Sequence, residues 1–141
     1  MIETILLTNQ PIPTAVVSRP GIMQQSLRSS LAACPLIAVV ASFGDGLTAL
    51  NQLTRFRSGI LVIDSNLLDE EVDAMLAGLK ARQPDIRCLV LVRSTWRRDQ
   101  LLVEGADEVV LRNSSVQDLH AALYRLAQGL TGQSTSANAP T

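Results

Sequence analysis

The chain has a single lysine, Lys80, against eleven arginines, and only four aromatic residues, Phe43, Phe56, Trp96 and Tyr124. Chemistry that needs a lysine ammonium therefore has one candidate. Twelve basic residues against thirteen acidic ones leave a net charge of -1, which with so few aromatics counts against a surface that stacks bases and neutralises phosphates. Two cysteines, Cys34 and Cys88, are too few for a disulfide framework. Each sits in an apolar run, where a reduced thiol serves as a small hydrophobe. No run approaches the roughly 20 apolar residues of a membrane span, and Met1 to Thr8 lacks the basic start and the length of a secretion signal. The expected setting is the cytoplasm, with no direct nucleic-acid partner and no membrane.

What is present is an alternation of two periods. At 141 residues, 47% hydrophobic and 18% charged, the chain can bury one ordinary core. Five short, nearly continuous apolar runs read as strands covered on both faces: Thr14 to Ser18, Ile37 to Ser42, Ile60 to Asp64, Cys88 to Val92 and Glu108 to Arg112. Between them the spacing becomes helical. Pro20 suits a first helical turn, followed by a face of Met23, Leu27, Leu31 and Cys34. Ala49, Leu50, Leu53 and Phe56 form a second stripe, and Val72, Met75, Leu76 and Leu79 a third, opened by Asp69, Glu70 and Glu71, whose charges favour a helix start. Leu101, Leu102 and Val103 mark a short fourth helix closed by Gly105, with Trp96, Arg97 and Arg98 at its opening. Ser115 and Asp118 start a fifth, whose face is Val116, Leu119, Leu123 and Leu126.

Repeated strand-helix units imply a parallel sheet between helical layers. Residues 14–127 form this domain. Residues 1–13 read as an arm or an extra strand, because taking Ile5 to Thr8 as the first strand would leave too long a gap before the second. Residues 128–141, small and polar, read as a flexible tail or linker.

In such a sheet, reactive groups gather where the strands end. Those positions are Ser18 and Arg19, Ser42, Asp64, Val92 to Ser94, and Arg112 with Asn113. The lone aspartate closing ILVID is the sharpest of them. Three further blocks stand in order around it: GDGLTAL from Gly44, PDIRCLVLV from Pro84, and EGADEVVLR from Glu104 to Arg112.

Over residues 14–128 this arrangement resembles the receiver domains of bacterial response regulators. The resemblance implies a flavodoxin-like (βα)5 three-layer sandwich around a central five-stranded parallel sheet. It also implies that Asp64 matches the aspartate that takes a phosphoryl group from a histidine kinase. Receivers that do so hold Mg²⁺ with an acidic pair after the first strand; here Ser18 and Arg19 stand there, and the other register would offer Asn9 and Gln10. The family's lysine at the end of the fifth strand is Arg112, and its following proline is Asn113. Its hydroxyl residue maps to Val92, with Ser94 and Thr95 displaced into the loop, and its switch aromatic maps to Val109. Four of five functional positions thus depart from the pattern, which resembles a degenerate receiver, or pseudo-receiver.

With one carboxylate, the site should hold Mg²⁺ poorly, since that ion dehydrates reluctantly and needs anionic oxygens. If Arg19 and Arg112 both flank Asp64, guanidinium groups fill the places of metal and ammonium and lock the site. The expectation is a non-enzymatic module without cofactor or metal, acting on a protein partner, a histidine kinase or downstream regulator, or as a homodimer. The candidate interface is Trp96, Arg97, Arg98, His120 and Tyr124. A phosphorylatable receiver and a small α/β ligand-binding protein or enzyme are the alternatives. The SFGDG stretch from Ser42 reads as loop geometry, not a phosphate loop. Lone His120 lacks ligand partners at metal spacing.

Overall fold

The computed structural model describes residues 10–131 apart from 54, 56–58 and 65. Five strands, β1 (Ile12–Val17), β2 (Ile37–Phe43), β3 (Gly59–Asp64), β4 (Ile86–Val92) and β5 (Glu108–Leu111), alternate with five helices. The helices are α1 (Ile22–Ala32), α2 (Gly46–Leu53), α3 (Asp69–Arg82), α4 (Arg98–Glu104) and α5 (Val116–Thr131). All strand pairs are parallel, in the order β2-β1-β3-β4-β5.

Alternation along each strand feeds two cores. From β3, Leu61 and Ile63 meet Ala49, Met75, Leu76 and Leu101 of α2, α3 and α4 on one face. Ile60 and Val62 meet Leu31, Leu119 and Leu123 of α1 and α5 on the other. All six residues of β3 are buried, which explains its continuous apolar sequence. This is the three-layer (βα)5 sandwich the patterning calls for.

The blocks noted in the sequence have local structural reasons. Asp45 caps α2, its carboxylate accepting from Thr48 N (2.8 Å) and Thr48 Oγ1 (3.0 Å); those bonds hold its pKa below the ordinary value. A Cβ on Gly46 would lie 2.8 Å from Met75 Cγ, so glycine here lets α2 approach α3. Gly105 closes α4 at φ 131°, and its N–H reaches the carbonyls of Leu101 and Leu102. Ala106 is buried behind it, and Asp107 fastens β5 to β4 by accepting from Cys88 N at 2.8 Å. Asp118 N donates to Ser115 Oγ at the start of α5. Both cysteines are buried free thiols; burial, then the Asp107 charge, pushes Cys88 up to about 12.

Several boundaries shift. β1 begins at Ile12, inside the stretch read as an arm, and residues 1–9 lie outside those described, as does Phe56. α1 begins at Ile22, because Gly21 at φ 141° breaks the backbone after Pro20. α4 starts at Arg98, leaving Trp96 and Arg97 in the loop, and α5 continues to Thr131, past the expected domain end. Met23, Val103 and Val116, counted in apolar stripes, are exposed.

Candidate functional site

Parallel register brings the candidate residues together. Val17 lies opposite Ile63, so the residues that follow, Ser18 and Asp64, sit side by side where β1 and β3 end. This is the point at which strand order reverses, the usual location of sites in such sheets. Arg112 follows β5, its N–H continuing the ladder to Val92 O at 2.8 Å, and its side chain crosses the end of β4 to Asp64.

Asp64 is 1% exposed. Its Oδ2 accepts from Ser18 Oγ at 3.0 Å and, at 3.4 Å, from Arg112 Nη2. Arg112 Nε lies 2.8 Å from Oδ1, an ion-pair contact whose N–H points off line, so Oδ1 has no hydrogen bond of its own. A buried carboxylate is tolerable only with such compensation. The hydroxyl of Ser18 in turn accepts from Asn66 Nδ2 at 3.1 Å.

Arg19 does not flank Asp64 as anticipated. Its side chain turns outward along the β3–α3 loop, Nε donating to Asn66 O at 3.0 Å, with Glu71 3.9 Å away and half its surface exposed. The backbone N of Arg19 donates to Asn66 Oδ1, and Gln24 Nε2 holds Ser18 O. Asn66 and Gln24 thus stitch together the loops after β1 and β3. Neither was singled out in the sequence, and only the position of Asn66 two residues after Asp64 could have drawn notice to it.

The remaining candidates disperse. Val92 belongs to the core, and Val109 packs against it from β5. Ser94 is exposed and lines a cleft with Trp96, whereas Asp64 lines a different cavity of about 140 Å³ between α1 and the start of α5. Of the expected interface residues, Trp96 (79% exposed), Arg98 and Tyr124 lie on the surface. Arg97 is instead buried against α3, paired with Asp69 (3.1 Å) and Asp73 (2.6 Å). His120 Nε2 bonds Ser30 O at 2.9 Å, joining α5 to α1. The acidic start of α3 does not reach Asp64: Glu71 accepts from Gly46 N, and Asp69 and Asp73 hold Arg97. Among the described residues no three His, Cys, Asp or Glu side chains converge as a metal site, and no helix is long and apolar enough to cross a membrane.

The chain matches no protein-family model and no curated relative. Solved structures do match. The signal receiver domain of NarL from Mycobacterium tuberculosis superposes with a TM-score of 0.75 at 17% identity, over 85% of this chain and 98% of that one. The isolated receiver domain of RcsB from Salmonella enterica serovar Typhimurium, determined with a phosphomimetic, gives 0.73 at 20% identity, over 85% and 91%. The receiver domain of a sensor histidine kinase from Pseudomonas aeruginosa, with magnesium coordinated in its active-site cleft, gives 0.67 at 16%, over 87% and 99%. The fold is that of receiver domains.

Proposed function

We propose that the chain is a receiver-fold signalling module that acts through protein contacts, and that Asp64 is held by its neighbours instead of cycling with phosphate. The observation that carries this reading is the Asp64 cluster, where Ser18 and Arg112 engage the one carboxylate found there among the described residues, itself 1% exposed. Mg²⁺ needs several anionic or carbonyl oxygens to repay its dehydration. The donor set at Asp64 is one carboxylate, one hydroxyl and a guanidinium that repels a cation, and it does not suit that ion.

Phosphorylation of Asp64 by a histidine kinase, as the receiver resemblance would suggest, is the competing outcome of the test. A small-molecule site at Asp64 is less supported, since the cavity beside it, at about 140 Å³, falls below the roughly 300 Å³ of ordinary ligand pockets. Incubation with acetyl phosphate or beryllofluoride plus Mg²⁺, followed by intact-mass analysis and Trp96 fluorescence, decides the matter. The expected result is an unmodified chain with unchanged emission. A stoichiometric adduct on Asp64 would overturn the reading in favour of a competent receiver.

A further inference from the structure

Beside the Asp64 cluster, at the ends of β3 and β4, a cleft of about 510 Å³ opens between the β3–α3 and β4–α4 loops. Beneath it lie the buried side chains of Val72, Val90, Val92 and Leu101, and its exposed lining is more polar than apolar. Each lip carries one large apolar side chain in solvent, Leu68 at 62% exposure on one side and Trp96 at 79% on the other. Arg97, buried beneath, ties the two lips together through Asp69 and Asp73. The opening is thus set before anything enters it, which lowers the ordering cost of binding. The lips also differ in charge: Arg93 stands on the Trp96 side and Glu70 on the Leu68 side, and neither has an ion-pair partner among the described residues.

We infer that the occupant of this cleft is the Trp96 lip of a second copy of the chain. A two-fold axis across the cleft sets each Trp96 lip over the other copy's Leu68 lip, so that each indole packs on the other copy's exposed Leu68. Arg93 of each copy then meets Glu70 of the other. The contact is isologous and closes at the dimer. Exposed tryptophan beside arginine has the composition of an interface anchor. The face where α4, β5 and α5 meet is less suited, because its ion pair is already made internally, Arg125 gripping Glu108 with two bonds. This inference does not rest on the state of Asp64, and its failure would leave that reading intact.

Sedimentation velocity on the full chain over a concentration series tests it, with emission from Trp96, the sole tryptophan, read in parallel. The expected result is a monomer-dimer equilibrium in which emission shifts to the blue as dimer forms. Trp96→Ala should weaken association more than tenfold while circular dichroism is unchanged. Arg93→Glu and Glu70→Arg should each give monomers alone and a heterodimer when mixed, since only the mixture pairs opposite charges at both contacts. A chain that stays monomeric throughout, including one that takes up only a different protein, would overturn the inference. So would a dimer whose emission does not change, or one broken by Tyr124→Ala and untouched by Trp96→Ala.

Discussion

Two neighbouring regions at one end of the same sheet are built in opposite ways. Where β1 and β3 end, a buried carboxylate is closed in by a hydroxyl and a guanidinium, and the surrounding loops are stitched through Asn66. Where β3 and β4 end, the loops part and leave Trp96 and Leu68 in solvent. The first region has polar groups that pair with one another; the second has large apolar groups that no described residue covers. Internal satisfaction stabilises a fold, whereas unsatisfied apolar surface is what a partner can use. The contrast predicts large stability effects in the first region and almost none in the second.

Arg112→Met should have the largest effect. It removes the cation from a carboxylate that is 1% exposed, and uncompensated buried charges of this kind cost about 3 kcal/mol or more. Urea denaturation would register the loss, and a cost below about 1 kcal/mol would mean that water, not Arg112, compensates Asp64. Ser18→Ala comes next. It deletes the 3.0 Å donor to Asp64 and the acceptor for Asn66, with an expected cost of about 2 kcal/mol for a hydrogen bond to a charged group.

Asp107→Ala belongs to neither region, being at the opposite end of β4, and sharpens the comparison as an ordinary structural bond. Leaving Cys88 N without its acceptor should cost about 1 kcal/mol. The same change removes a charge that raises the Cys88 pKa, so the thiol should titrate below its value of about 12. The pH dependence has a definite sign. Between the unfolded thiol's ordinary value near 9 and about 12, the unfolded chain has lost the Cys88 proton and the folded chain has kept it, so stability falls as pH rises across that window. Cys88→Ala should flatten this alkaline decline by one proton per molecule in pH-dependent denaturation.

The fold was more legible in the sequence than the site, for physical reasons that particular residues show. Strands buried on both faces must be apolar throughout, so ILVI before Asp64 announced itself, and Gly105, Ala106 and Asp107 mark a helix end and a strand fastening that few other residues could make. An apolar stripe, by contrast, does not say which part of its arc is covered, and Met23, Val103 and Val116 lie at uncovered edges. Asp64 and Arg112 stood out as strand ends, whereas their pairing was only a conditional expectation of the receiver resemblance. Arg19 did not, because a loop side chain has no period to fix its direction, and here Asn66 O drew it outward. Arg97 was misread because its partners Asp69 and Asp73 come from another helix, brought near only by tertiary packing.

Trp96→Ala should have the smallest effect on stability, and for that reason bears most directly on the contrast. Surface substitutions away from buried networks lie within about 0.5 kcal/mol of neutral, and Trp96 at 79% exposure has little packing to lose. A midpoint of urea denaturation unchanged at concentrations where the chain is monomeric is the expected result. Were the variant instead destabilised by more than about 1 kcal/mol there, the indole would be packing on its own cleft in solution, and the cleft would be core rather than surface. An unchanged monomer with weakened self-association would separate the two regions cleanly: the Asp64 cluster acts on folding, and the Trp96 lip acts only when a second molecule is present.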